Sequence, residues 1–193
     1  MSALYFVPVG AVPDKVWEWI TKAAAEWFPL PIQRLAALPI PESAYDSKRN
    51  QYQSVEIMRM LNQHAPQNGS RVLGITDVDL SIPMLSFLFG QAQLDGPVAI
   101  VSLRRLRQEF YGLPERDDLL RERLTKEVLH EMGHTFGLVH CSEPKCAMNL
   151  STHIGMVDGK AEQYCSRCGL QLAHRFAFLE EYEKELADSR CRR

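Results

Sequence analysis

Residues 130–140 read HEMGHTFGLVH. His130 and His134 are four apart. On a helix that spacing stacks two imidazoles one turn apart on one face, where a single cation can bridge them. Glu131 leaves such a helix about 100° further round. It would flank the metal instead of ligating it, and there it can hold and deprotonate a metal-bound water. Gly137 marks where the helix should stop, because glycine tolerates the left-handed conformation at a helix C-terminus. The chain can then turn and return His140 as a third ligand. Three histidines leave the fourth tetrahedral position to water, which marks a catalytic zinc site. The pattern fixes five residues in eleven. A chance match has odds of roughly 10⁻⁵ from ordinary residue frequencies, which sets aside a surface helix with solvated histidines. Zinc binding without turnover stays open at this point.

The cysteines form a second constellation. There are five, Cys141, Cys146, Cys165, Cys168 and Cys191, and none precedes Cys141. Disulfide scaffolds are short and carry cysteines throughout, so four crowded between positions 141 and 168 read better as a metal site. Cys141-x₄-Cys146 and Cys165-x₂-Cys168 match a closed, four-thiolate structural zinc. The stretch from 141 to 168 has few core-sized residues, so metal cross-linking would order it and fix the chain leaving His140. The alternatives are buried free thiols or a redox C-x-x-C preceding a helix. His140 and Cys141 are adjacent, and consecutive side chains of an extended segment face opposite ways, so each can serve one site. Cys191 reads as a free surface thiol on a frayed, charged tail.

His130-Glu131-x-x-His134-x-x-Gly137-x-x-His140-Cys141-x₄-Cys146-x-Met148, followed by Cys165-x-x-Cys168, resembles the archaemetzincin family of metzincin zinc metallopeptidases. The match runs from His130 to Cys168. The resemblance implies a zincin-like metzincin fold and two zinc ions per chain. It implies His130, His134 and His140 on a catalytic zinc, with Glu131 as general base and acid. It implies Cys141, Cys146, Cys165 and Cys168 on a structural zinc. It also makes Met148 the Met-turn residue beneath the catalytic site, where an adaptable thioether suits an apolar floor.

These residues need elements to hold them. Leu4–Val9 is a short apolar run, a buried strand. Pro13 and Asp14 open a helix to about Trp27, with Val16, Trp17, Ile20, Ala23, Ala24 and Trp27 at helical spacing. Leu30–Ile40 reads as an edge strand and Pro39–Tyr52 as a loop. Ser54 is a candidate cap for a helix to about His64 with Val55, Met58 and Leu61 on one face. Asn68-Gly69 turn chemistry precedes a strand at Val72–Ile75. Leu85–Gly90 and Val98–Leu103 read as strands, and Asp95-Gly96-Pro97 between them predicts a hairpin. Long helices follow from about Asp117 to Phe136 and from Gly169 to Asp188, the latter with Leu172, Phe176, Leu179 and Leu186 on one face. This order predicts an α+β protein with a mixed, twisted sheet of about five strands flanked by helices. We expect one catalytic domain over 1–193. An N-terminal subdomain, 1–137, ends in the active-site helix. A C-terminal subdomain, 138–193, carries the Met-turn, the four cysteines and the last helix.

Composition excludes other classes. The 193 residues are 46% hydrophobic and 24% charged, ordinary for a globular domain. Net charge is −2, no electrostatic footprint for nucleic acid or an anionic membrane. No run reaches the ~18 apolar residues of a membrane span, and the N-terminus lacks a basic leader. A cytoplasmic monomer acting on peptides or unfolded protein is the expectation, with aminopeptidase activity as its narrower form. No pro-segment with a blocking cysteine precedes the first strand, which predicts narrow access, small substrates or low activity. Leu85–Gly90 is the candidate edge for an extended substrate. Tyr164, His153 and Lys145 lie near the motif but read as packing or surface residues. The competing reading is a catalytically weak or inactive two-zinc protein that binds peptides. Glu131 favours the enzyme, because zinc binding needs only the histidines.

Overall fold

The computed structural model describes residues 2–66 and 69–191. The chain runs β1 (Leu4–Val9), α1 (Lys15–Trp27), β2 (Ile32–Arg34), β3 (Tyr45–Asp46), β4 (Gln51–Gln53), α2 (Ser54–His64), β5 (Arg71–Thr76), β6 (Leu80–Ile82), β7 (Leu85–Leu88), β8 (Gly90–Ala92), β9 (Val98–Ser102), α3 (Asp117–Thr135), α4 (Ile154–Gly159) and α5 (Ser166–Cys191), with short 3₁₀ turns at Glu42–Ala44 and Gln108–Tyr111.

The main sheet has five strands in the order β2-β1-β5-β9-β8, parallel except for the antiparallel β8 at one edge. Parallel strands are covered on both faces, so they are apolar throughout. Alternation divides them between two cores. Leu4, Phe6, Leu73, Ile75, Ala99 and Val101 face α1, α3 and α5. Val7, Val9, Val72, Val98 and Ile100 face α2.

The five-stranded mixed sheet agrees with the sequence-based expectation, but a second sheet was not foreseen. It has four strands in the order β3-β4-β6-β7. Two of them lie where a loop was expected, because strands of two or three residues carry no periodicity to read. The hairpin is also corrected. The partner of β9 is β8, whereas β7 pairs with β6 in the smaller sheet. The buried Phe89 sits at the crossing, so one apolar run serves two sheets. Leu30–Ile40 pairs continuously only at Ile32–Arg34, with an isolated bridge from Leu38 to Val9, and Pro31 and Pro39 bound the segment that pairs. Ser54 does not cap α2. It is the first helical residue, and its hydroxyl bonds the Ser81 carbonyl at 3.2 Å and Gln91 Oε1 at 2.6 Å. Val55 is exposed, and Ile57 joins Met58 and Leu61 in the core. Cys168 lies within the first turn of α5 instead of preceding it. Asn68 and the side chains of Leu186 and Cys191 lie outside the described residues; Gly69 has the positive φ of +81° expected of a turn.

α3 is the central helix and is buried on nearly every side from Leu120 to Thr135. Asp117 and Asp118 open it, favourably placed against the helix dipole. Its buried polar side chains find partners in the chain that follows. Arg123 makes a two-pronged contact with Asp158, and Glu127 meets Lys160. The helix ends in a Schellman motif: the Gly137 amide bonds the His134 carbonyl, the Leu138 amide bonds the Gly133 carbonyl, and Gly137 has φ +89°. The β8–β9 turn docks on the same end, through the Asp95 amide to the His134 carbonyl at 2.8 Å.

Candidate active site and metal centre

α3 carries His130, Glu131 and His134, and the Schellman turn reverses the chain so that His140 comes back beside them. One ligand atom from each histidine lies within 4.8 Å of those of the other two. His130 is buried, His134 half-buried and His140 exposed, so the cluster opens to one side. His130 Nδ1 lies 2.8 Å from the Ala147 carbonyl and His134 Nδ1 lies 2.7 Å from the Leu138 carbonyl. A carbonyl only accepts, so both Nδ1 atoms carry the proton and both Nε2 atoms present lone pairs. Those Nε2 atoms are 3.2 Å apart. Two lone pairs so placed repel unless a cation lies between them. Nitrogens about 2.0–2.1 Å from a tetrahedral zinc lie about 3.3 Å from each other, so the residues fit that ion. Burial, with Lys160 and the other imidazoles adding to it, holds His130 well below the usual histidine range. It is therefore in the neutral, ligating form.

Glu131 is also buried. Burial and the neighbouring Glu127 carboxylate push its carboxyl well above the usual range, with Lys160 opposing them; a bound cation would draw it back. Gly90 makes room for it. A Cβ at Gly90 would come within 2.6 Å of Glu131 Cγ, 2.7 Å of its Oε1 and 2.8 Å of the Ile100 carbonyl. Met148 is fully buried against α3, and its sulfur fills the place a Cβ at Gly133 would take.

The cluster lines a cleft of about 480 Å³ bounded by residues 85–92, Glu127, the three histidines, Glu131 and Leu150, Ser151 and Thr152. β7 is the terminal strand of the smaller sheet and exposes Leu85 and Ser86. Arg49 ties it to β6, donating to the Leu85 and Ser86 carbonyls of β7 and to the Ile82 carbonyl of β6. A groove of similar volume beside α1, lined by Glu18, Lys22, Glu26, Arg121 and Glu162 among others, holds no comparable ligand cluster.

Cys141, Cys146, Cys165 and Cys168 also converge, their sulfurs within 4.8 Å of one another. Cys141 and Cys165 sulfurs are 3.8 Å apart, the separation of about 3.8 Å expected of thiolates 2.3 Å from a tetrahedral zinc. N–H donors surround them: the Glu143 amide and Arg167 guanidinium on Cys141 and the Cys165 amide on Cys146. Burial pushes the Cys141 thiol up, but these donors and the neighbouring thiols outweigh it and bring it down to about 7. Four converging sulfurs also count against a redox pair formed by Cys165 and Cys168 alone.

The sequence motifs identified every member of both clusters, but not Gly90, Arg49 or the Glu127–Lys160 pair. Glu127 carries a signal in retrospect, one turn before Glu131 on the same helix. Tyr164 is buried away from the cleft, with its hydroxyl on the Leu129 carbonyl and its ring edge-on to Trp27. His153 and Lys145 are not among the cleft's lining residues.

The model of peptidase family M54 matches residues 18–174. The chain belongs to peptidase family M54. By that membership it is a zinc metallopeptidase and its substrates are peptides. M54 relatives include the archaemetzincin of Methanocaldococcus jannaschii, 40% identical over 172 residues, covering 89% of this chain and 93% of that one. The archaemetzincin of Pyrococcus furiosus is 39% identical over 175 residues, covering 88% and 91%. Among solved structures, the archaemetzincin of Methanopyrus kandleri superposes with a TM-score of 0.81 at 31% identity, covering 91% of this chain and 96% of that one. The zinc-dependent peptidase of Methanocorpusculum labreanum gives 0.81 at 29%, covering 88% and 100%. The fold expected from the resemblance to archaemetzincins is therefore the fold observed. Among the described residues, no helix of this M54 peptidase is long and apolar enough to cross a membrane.

Proposed function

We propose that this M54 peptidase hydrolyses peptide bonds at His130, His134 and His140, with Glu131 as general base and acid, and that Cys141, Cys146, Cys165 and Cys168 hold a second, structural zinc. The reading is carried by the 3.2 Å approach of two Nε2 atoms whose Nδ1 protons are already committed to carbonyls. Zinc bound there would polarise the scissile carbonyl and acidify a water. Glu131 takes a proton from the attacking water on its carboxylate and returns it to the leaving amine nitrogen. Its burial keeps bulk water from competing for that proton.

The substrate lies extended along the free edge of β7 as an added strand, and the exposed Leu85 and Leu150 offer apolar contacts beside the scissile bond. Glu127 is the second carboxylate lining the cleft, and Lys160 already pairs with it. The described lining residues therefore offer no spare acidic partner for a substrate's α-amino group, which favours cleavage away from the N-terminus over aminopeptidase action. We also read the chain as one domain, 1–193, with the boundary between the two subdomains the sequence predicts at the Gly137 turn that ends α3.

The test is digestion of a diverse peptide mixture by zinc-loaded wild type and zinc-loaded Glu131→Ala, read by mass spectrometry. Products specific to wild type are expected, and their termini separate internal from terminal cleavage. Digestion by neither, with zinc confirmed in both, would favour the peptide-binding alternative, and equal digestion by both would overturn the role of Glu131.

A further inference from the structure

The buried pair of Lys160 and Glu127 has no part in the chemistry proposed above, yet Glu127 lines the cleft and Lys160 packs behind it. The Lys160 side chain is 0% exposed and that of Glu127 4%. An apolar pair of similar volume is often as stable as a buried ion pair or more so, so stability alone gives no reason for charges here. The contacts of Lys160 supply one. Its ammonium has three donors, and it reaches Glu127 Oε1 at 2.8 Å and the carbonyls of Ala147 and Asn149, both at 3.3 Å. These carbonyls flank Met148. Ala147 is also the acceptor for His130 Nδ1. Between them, the Met148 carbonyl takes the amide of Cys141, the residue after His140, at 2.9 Å. Three successive carbonyls thus connect one lysine to a histidine on α3 and to the chain at His140.

On the reading that His130, His134 and His140 hold zinc, we propose that Lys160 is a positioning residue for that metal. Neutralised by Glu127, its ammonium holds the 147–149 loop so that the His130 ring and the chain at His140 are set before the metal arrives. An apolar residue at position 160 would offer no donor to link the carbonyls of Ala147 and Asn149.

The experiment measures zinc release from the full chain to a chromophoric chelator. The phase missing in His130→Ala identifies the histidine site. Lys160→Met should weaken zinc at that site by about 10–100-fold, the usual range for groups that orient metal ligands, and lower kcat with KM little changed. Lys160→Met/Glu127→Leu, which removes both charges, should do the same. If the pair only balanced charge, Lys160→Met would leave a carboxylate beside the metal and bind zinc as well or more tightly. That result, or wild-type affinity in the double variant, overturns the proposal. Should the variants not fold, nitrogen NMR of the wild type decides. A protected Nδ1–H on His130 in the metal-free protein supports preorganisation, and an Nε2–H tautomer or free exchange overturns it. Failure of the wild type to take zinc at the histidines would instead defeat the functional reading itself.

Discussion

The two candidate metal centres share a junction, since His140 serves one and Cys141 the other, yet their surroundings have opposite polarity. The imidazoles meet carbonyl oxygens, from Ala147 and Leu138. The sulfurs meet N–H groups, from the amides of Glu143 and Cys165 and the guanidinium of Arg167. The charge of the ligand explains the difference. A neutral imidazole ligates through one nitrogen only if an acceptor holds the proton on the other. Thiolates bring negative charge, and donors disperse it. The centres also differ in access. The histidine cluster lines a cleft with His140 exposed, whereas three of the four cysteines are buried. One arrangement leaves room for a reactant, and the other would close around an ion.

If that contrast is right, disrupting the two centres has unequal consequences. Cys165→Ser should have the largest effect. With three thiolates left, the second metal is lost and the segment after His140 loosens. Melting temperature should fall by well over roughly 10 °C, and metal analysis should find both sites depleted, because structural zinc binding is folding free energy. His134→Ala should empty only the histidine site and leave one metal per chain. Equal losses in the two variants would erase the distinction.

Next in size is Glu131→Ala. Turnover should fall by about 10²–10⁴-fold, the usual contribution of a general base, with both metals retained. Loss of metal as well would undermine the assigned role. Gly90→Ala tests the space beside that carboxylate. The new methyl meets Glu131 Cγ and the Ile100 carbonyl, and kcat should drop on the order of 10²-fold, as misplacements of about 1 Å do, while metal content stays unchanged. The smallest effect belongs to Tyr164→Phe, outside the cleft. It removes one buried hydrogen bond to Leu129 and should lower stability by about 0.5–1.5 kcal/mol in a thermal melt, without altering kcat.

The parts of this protein legible in sequence are those whose chemistry is compressed into a short stretch. Helical spacing makes His130, Glu131 and His134 neighbours whatever surrounds them. Gly137 ends the helix through its own backbone freedom, and Cys141, Cys146, Cys165 and Cys168 stand at the spacings of a four-thiolate metal site. The long apolar strands β1, β5 and β9 could also be read, because burial on both faces leaves continuous hydrophobic runs. Only tertiary structure decided the rest. Strands of two or three residues, such as β3 and β4, have no periodicity of their own and exist through their partners. Phe89 sends one apolar run into two sheets, which no local preference encodes. Gly90 matters only because Glu131, distant from it along the chain, needs its space. Lys160 and Glu127 become a pair only when the loop after α3 folds back onto it, since an ion pair is a property of distance in space and not of position along the chain.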